Sequence, residues 1–201
     1  MIRLATLLRP IAASLFAALL LAACVPTAEH PILGKDKAPG ADILGAWHGT
    51  TNDGTAIELH LLKMEDGTVA LLIGHEDKKD GGTSSDSWSV FHIVTAKVKG
   101  ENYLSALWDL NDGKPAAANE KGYHLLRYTL TADGTLSMFF VDEKKLIEAV
   151  KKGKLEGTIT GEGAGEEVRV TASSEKLARF VGRQDPKALF AQPFATFKRA
   201  S

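Results

Sequence analysis

Few residues of this 201-residue chain have the types and spacing that chemistry requires. Imidazole nitrogens can ligate a metal ion, and strands that are distant in sequence can bring histidines together in a folded sheet. However, the chain has no close His-x-His or His-x3-His pair. Each histidine is therefore interpreted as a strand residue on a half-buried face, and no metal site is predicted. The histidines concerned are His48, His60, His75, His92 and His124.

The sequence contains no complete catalytic motif. His75-Glu76 begins like the helical zinc motif H-E-x-x-H, but the fifth position is Lys79. The segment Gly161–Gly165 has the glycine spacing of a phosphate loop, yet strand-forming residues follow it instead of a helix, so a hairpin loop is predicted. The sequence predicts no catalytic residue and no cofactor, and it does not indicate an enzyme.

Asp-Gly-Thr occurs three times, at residues 53–55, 66–68 and 133–135. A calcium loop would need further oxygen ligands at alternate positions and a closing glutamate, which these segments lack. Glycine in a tight turn explains the pattern instead, because hairpins favour a residue that adopts positive φ.

Cys24 is the only cysteine, and it follows an apolar run, Ile11–Leu21, and two small residues. Arg3 and Arg9 precede this run, so the segment is interpreted as an export signal. A retained transmembrane helix is not expected, since spanning needs roughly 20 apolar residues. A stronger alternative than a transmembrane helix is an ordinary cleaved secretory signal. It is disfavoured because it would leave an exposed, unpaired thiol near the new terminus.

The arrangement Leu21-Ala22-Ala23-Cys24 resembles a bacterial lipoprotein signal. The resemblance implies cleavage between Ala23 and Cys24 and acylation of Cys24, with the acyl chains holding the protein on a membrane. Val25 stands where a retention aspartate would keep an enterobacterial lipoprotein in the inner membrane. The resemblance therefore implies an outer-membrane location facing the periplasm, if the cell has two membranes.

Charge excludes one class of partner. Loss of residues 1–23 removes Arg3 and Arg9 from 24 basic residues, which leaves 22 against 25 acidic ones and a formal charge of −3. Both signs are interspersed, so no basic face for nucleic acid is predicted. No cysteine remains for a disulfide, and a single hydrophobic core must hold the exported domain.

Three regions are predicted: a signal peptide at residues 1–23, a lipidated cysteine with a flexible tether at residues 24–42, and one folded domain at residues 43–201. The tether is inferred from three prolines and two glycines without periodicity. From Ile43 onward, short β-branched and aromatic runs alternate with turn signals, as in an all-β sandwich or barrel. Seven strands are expected before any helix, near residues 44–50, 56–64, 68–75, 87–98, 103–110, 122–131 and 135–141.

The last third of the chain mixes helices and strands. A first helix is predicted after Asp142, and a second begins near Ser173 and stops at Gly182. Asp185-Pro186 can open one further helical turn. A hairpin at residues 155–160 and 167–172 lies between the two helices, and a last strand at residues 194–199 brings the total to about ten.

Several strands are apolar on both faces, notably residues 69–73 and 136–141. Other residues must cover the second face of these strands, because a strand with one face in water should alternate apolar and polar residues. Two interpretations remain open. The predicted helices cover one flank of a filled sandwich or barrel, or a barrel holds an apolar ligand inside.

Gly45-Ala46-Trp47 lies on the first predicted strand and Lys198-Arg199 ends the last one. This resembles the Gly-x-Trp pattern of the lipocalin and wider calycin group. The resemblance implies an antiparallel β-barrel in which Arg199 of the closing strand packs across Trp47. Unlike in lipocalins, a helix follows seven strands here, and more elements come after it. The chain from about Gly122 also resembles uncharacterised bacterial exported proteins.

The sequence thus predicts a mainly β, calycin-like barrel of about ten strands with two packed helices, anchored in the cell envelope by acyl chains. The first functional hypothesis is non-catalytic binding of a small apolar ligand or lipid. The alternative is an interaction module for an envelope protein or a cell-wall polymer. A deep apolar cavity would favour the first, and an exposed apolar patch the second.

Overall fold

The computed structural model describes residues 25–34, 40–65, 69–77, 85–111, 113–115 and 122–200. The signal segment, Ala23 and Cys24 lie outside these residues, as does the predicted turn at Asp66-Gly67. The described chain is mainly β, with twelve strands and three α-helices. The strands, numbered in chain order, are β1 Thr27–Ala28, β2 Gly45–Thr51, β3 Ala56–Lys63, β4 Val69–Asp77, β5 Ser85–Val98, β6 Glu101–Asn111, β7 Lys114–Pro115, β8 Tyr123–Leu130, β9 Thr135–Phe140, β10 Gly157–Thr160, β11 Glu167–Val170 and β12 Pro193–Arg199.

The helices are α1 (Glu143–Lys151), α2 (Ser174–Val181) and α3 (Pro186–Leu189). Each begins where the sequence supplies a cap. Side-chain oxygens of Asp142, Ser173 and Asp185 accept hydrogen bonds from the backbone N–H groups of Lys145, Lys176 and Lys187, at 3.2, 3.4 and 3.0 Å. No helix among the described residues is long and apolar enough to cross a membrane.

The strands form one large mixed sheet in the order β10-β11-β1-β8-β9-β12-β2-β3-β4-β5-β6-β7. All pairings are antiparallel except that of β1 with β11. β6 pairs in addition with β8, over the register from Asn102 opposite Tyr128 to Leu107 opposite Tyr123. The ten strands predicted from the sequence are all present, and the two further strands, β1 and β7, have two residues each.

The sheet carries a core on each face, which explains why residues 136–141 are apolar on both sides. The side chains of residues 69–72 lie outside the described part of the structure. The Trp47 core contains alternate residues of the long strands, among them Leu59, Leu104, Leu126 and Met138. The other, the Tyr103 core, lies between the sheet and the helices and contains apolar residues of α1 and α2. The helices therefore cover the second face of β6 and β8.

The expectation of a flexible tether over residues 24–42 is wrong for residues 25–34. Thr27 and Ala28 pair with β8 on one side and β11 on the other. Ala28 and Ile32 are fully buried in the Tyr103 core, and the Ile32 N–H donates to the Ser105 hydroxyl at 2.9 Å. Proline and glycine do not prevent this packing, because Pro26, Pro31 and Gly34 lie outside the two residues that pair with β8 and β11.

Two neighbouring residues test this packing. Replacing Ile32 by Ala should lower the free energy of unfolding by about 2 to 5 kcal/mol, because a fully buried isoleucine leaves a cavity. Leu33→Ala is the matched control and should cost less than about 1 kcal/mol, since Leu33 is 37% exposed. Urea unfolding followed by tryptophan fluorescence measures both. Equally small losses of unfolding free energy for both variants would contradict the packing and favour a flexible tether.

Candidate functional site

The Arg199 end is the edge of the sheet where β2 begins and β12 finishes, and it is sealed by Trp47. The indole is 1% exposed, and its N–H donates to the Ile43 carbonyl oxygen at 2.9 Å. Ile43 belongs to a 3-10 helix, Ala41–Ile43, that leads into β2. This hydrogen bond therefore holds the entering chain across the end of the Trp47 core.

Arg199 completes this closure from the last strand. Its guanidinium carbon lies 4.4 Å from the centroid of the Trp47 ring, and its two terminal nitrogens donate to the carbonyl oxygens of Leu44 and Asp42, at 2.7 and 2.6 Å. A planar cation can stack and donate at the same time, which a lysine cannot do. The calycin resemblance implies this contact for these two residues.

Gly45 is the position that makes room for the arginine. Its φ is +121°, which side chains rarely adopt, and a Cβ there would lie 2.8 Å from a guanidinium nitrogen of Arg199. The three residues that the Gly-x-Trp resemblance singles out thus meet at one end of the sheet. Gly45 leaves space for the guanidinium group of Arg199, which stacks on the Trp47 ring and covers it.

A neutral phenol lies behind this closure. Tyr128 is buried in the Trp47 core, and burial, with a further contribution from the charge of Asp42, raises its pKa to about 12. An uncharged Tyr128 is compatible with a dry interior at this end.

The Phe91 end is the opposite edge of the Trp47 core, and none of the residues that the structure describes closes it as Arg199 closes the first end. The rings of Phe91 and Trp108 stack with centroids 5.6 Å apart and an interplanar angle of 19°. The His124 ring meets Phe91 edge-on at 6.2 Å, and the Trp108 N–H donates to the Leu110 carbonyl oxygen at 3.0 Å. All three aromatic residues are only partly buried.

A separate ring pair, Phe140 on β9 and Phe194 on β12, lies towards the same edge of the core, with centroids 4.5 Å apart. Both are partly exposed and pack against the Trp47 core. In the middle of the core, by contrast, Leu104 and Leu136 are fully buried. Between the two ends, side chains of the Trp47 core are therefore fully buried, whereas at the Phe91 end the aromatic rings stay partly exposed.

The sequence contains a signal for this aromatic group, although none of its members was predicted as a site residue. Phe91 precedes Ile93 by two positions, Trp108 follows Ala106 by two, and His124 precedes Leu126 by two, so all share the face of the Trp47 core. Alternation along each strand predicts which face of the sheet a side chain lies on. It does not predict that β5, β6 and β8 are neighbours.

The histidines are spread over the sheet. His48 and His60 flank Glu58, at 3.3 and 3.7 Å from its carboxylate oxygens, and His92 lies 3.0 Å from Asp109. These contacts are exposed. The side chain of His75 lies outside the described part of the structure. Within that part, no group of three or more His, Cys, Asp or Glu residues is placed to hold a metal ion.

The Asp-Gly-Thr segments in the described chain are turns. Thr51 and Thr131 accept hydrogen bonds from the backbone N–H groups of Thr55 and Thr135, at 3.1 and 3.2 Å. The Thr51 hydroxyl lowers the pKa of Asp53, and Lys198 does the same for Asp133. The run Gly161–Gly165 forms the loop of the β10–β11 hairpin, as predicted.

Replacing Trp47 by Ala should lower the free energy of unfolding by about 3 to 5 kcal/mol through lost packing. Arg199→Lys should cost about 1 kcal/mol, because lysine keeps the charge but loses the stacked, double-donor geometry. Lys198→Gln is the neighbouring control and should cost less than about 1 kcal/mol, since its ion pair with Asp133 is exposed. Urea denaturation measures all three. A loss at Arg199 no larger than at Lys198 would show that the arginine does not close this end.

Comparison of the chain with models of protein families, with curated proteins and with solved structures gave no match.

Proposed function

We propose that this chain is a non-catalytic lipoprotein of the cell envelope that binds a small apolar ligand or lipid at the Phe91 end. The anchoring part of the proposal is supported by the sequence Leu21-Ala22-Ala23-Cys24 behind a charged and apolar leader. Acylation of Cys24 would hold the protein on a membrane, and Val25 favours the outer membrane, facing the periplasm.

The proposed architecture is a calycin-like barrel. It is supported by the pairing of β6 with β8, because successive pairings then run from β8 through β9, β12, β2, β3, β4, β5 and β6 back to β8. It is supported also by the meeting of Gly45, Trp47 and Arg199 at one end. Eight strands give an interior that side chains can fill or that can hold one small ligand.

The observation that carries the ligand proposal is the difference between the two ends of the Trp47 core. One end is closed by Trp47 and Arg199, whereas the other presents the partly exposed rings of Phe91, Trp108 and His124. Partly exposed aromatic rings are costly to hydrate and offer flat apolar contact, which suits an acyl chain or a ring. Because residues in the middle of the Trp47 core are fully buried, the ligand would bind at the Phe91 end and would not extend through the core.

The alternative is an interaction module for an envelope protein or a cell-wall polymer. Exposed apolar side chains at the end of β3 favour it, since Leu62 and Met64 are 48% and 43% exposed. These residues lie at the end of β3 that pairs with the start of β2, on a different strand from any member of the aromatic group. Binding to them should survive changes at Phe91 or Trp108.

Acylation is tested by labelling cells with radioactive palmitate. The wild-type chain should incorporate the label, and Cys24→Ala should not, because the thioether link needs the cysteine sulfur. Ala22→Ser is a control for expression and export, since it keeps a small residue before the cysteine. Label on the alanine variant would contradict the proposed anchor.

Ligand binding is tested with a soluble form that begins at Val25, because residues 25–34 pack on the sheet. Titration with a fluorescent fatty acid should saturate, and Trp108→Leu should weaken binding by about tenfold through the lost aromatic surface. Trp88→Leu is the matched control. Trp88 is an exposed tryptophan on β5, three positions from Phe91, so alternation places it on the other face.

Native mass spectrometry of the protein purified from cells provides an independent measurement. Copurified lipid that is lost in Trp108→Leu and retained in Trp88→Leu would support the proposal. No saturable binding and no copurified ligand would reject it and favour the interaction module.

A further inference from the structure

A second feature of the molecule is a cleft of about 590 Å³ on the side of the Tyr103 core. Three segments border it: the end of β5 with the turn Lys99-Gly100, the carboxyl end of α2, and the segment Leu33–Gly34. The cleft is open to solvent and separate from the aromatic group at the Phe91 end.

Two glycines allow the bordering segments to approach β5 closely. A Cβ at Gly34 would lie 2.5 Å from the Lys97 carbonyl oxygen, so only glycine lets the amino-terminal segment lie against this strand. A Cβ at Gly182 would lie 3.1 Å from a methyl group of Val98, so the end of α2 also packs closely on this strand. The shape of the cleft therefore follows from close backbone approaches on both sides.

The border of the cleft is cationic. Lys97, Lys99, Arg179 and Arg183 line it and are exposed. Arg179 donates to Glu175 at 2.5 Å, one helical turn away. Within the part of the chain that the structure describes, Lys97, Lys99 and Arg183 have no side-chain hydrogen bond or ion pair. Three cations that pair with no described residue, placed around one concave surface, form a site for an anion.

The cleft is also partly apolar. Leu33 is 37% exposed beside the cations, and Val98 and Ala178 contribute further apolar lining. Lysine and arginine around apolar side chains match a molecule that has a phosphate group and hydrocarbon in close succession. Arginine can bind a phosphate in a bidentate manner, and lysine supplies a point charge.

The direction of the chain relates this cleft to the proposed anchor. β1 runs antiparallel to β8, with Thr27 opposite His124 and Ala28 opposite Tyr123. The described chain therefore enters at Val25 from the side on which β8 finishes. β6 begins on that same side, since Asn102 lies opposite Tyr128, and the turn Lys99-Gly100 leads directly into β6.

We infer that this cleft binds the phosphate-bearing headgroup of an anionic phospholipid and so holds the Arg199 end of the protein against the membrane. The inference rests on the proposed acyl anchor at Cys24, because the anchor supplies the membrane. Acyl chains fix the protein to a bilayer without fixing its orientation. The cleft adds the orientation, and it leaves the aromatic Phe91 end directed away from the lipid surface.

The direct test is lysine acetylation of the full, acylated chain in vesicles. In phosphatidylglycerol vesicles, Lys97 and Lys99 should react at least about fivefold more slowly than in phosphatidylcholine vesicles, because each bound cation gains roughly this factor at an anionic surface. Lys114 is the internal control. It lies on β7 beyond the other end of β6, roughly 30 Å along the strand, and its rate should not change.

Variants separate headgroup binding from general attraction. Lys97→Gln with Arg183→Gln should restore the rate at Lys99, whereas the control pair Lys114→Gln with Lys144→Gln removes the same charge from exposed sites outside the cleft and should leave Lys99 protected. Equal rates in both vesicle types, or protection of Lys114 together with Lys99, would overturn the inference.

A solution experiment distinguishes failure of the cleft from failure of the anchor. The full chain in neutral detergent should bind dihexanoyl phosphatidylglycerol, and the Lys97/Arg183 variant should bind it about 10- to 30-fold more weakly. This result does not depend on acylation, so a chain that takes no palmitate but binds this lipid would refute only the anchor. Binding of inorganic phosphate or of a poly-glutamate peptide as tightly as the lipid would assign the cleft to a free anion or to an acidic protein, and would overturn the inference.

Discussion

Strand β8 is the element on which the rest of the structure depends, because it is buried on both faces. Four consecutive residues, Leu125 to Tyr128, are at most 7% exposed. A strand in this position needs hydrogen-bonding partners along both edges, because water cannot reach its buried backbone N–H and C=O groups. It also needs apolar residues packed against each face. β6, β9 and β1 supply the edges, the Trp47 core covers one face, and the Tyr103 core covers the other.

The burial of Arg127 shows what this constraint costs. A cation in the middle of a buried strand must be compensated, and Arg127 donates to Glu101 at 3.0 Å and lies 4.3 Å from the Phe139 ring centroid. Both partners come from strands that flank β8. The ion pair thus depends on β6 lying next to β8, on the same pairing that supports the proposed barrel.

The two ends of the Trp47 core then differ for a physical reason. At the Arg199 end, the entering chain and the last strand converge, and one arginine both stacks on Trp47 and binds the carbonyl oxygens of the 3-10 helix segment. At the Phe91 end, the strands continue past the core, and aromatic rings remain partly exposed. Binding of an apolar ligand at one end and contact with a headgroup at the other are compatible proposals, because they use separate surfaces.

The sequence predicts the elements better than their arrangement. Hairpin glycines and helix caps such as Asp142 and Ser173 act locally, so strands and helices could be placed from the residues alone. The packing of residues 25–34 could not, because Ile32 is held by Ser105, 73 positions away in the chain. The aromatic group at Phe91 was missed for the same reason, as its members come from β5, β6 and β8 and meet only through sheet pairing.

The pairing of β6 with β8 is the central claim of this account, and nuclear magnetic resonance tests it directly. Cross-strand contacts between protons of Leu104 and Leu126, and of the register pairs on either side, are expected, together with slow exchange of the β8 amide protons. Absence of these contacts, with rapid exchange of the β8 amides that face β6, would contradict the pairing and with it the proposed barrel.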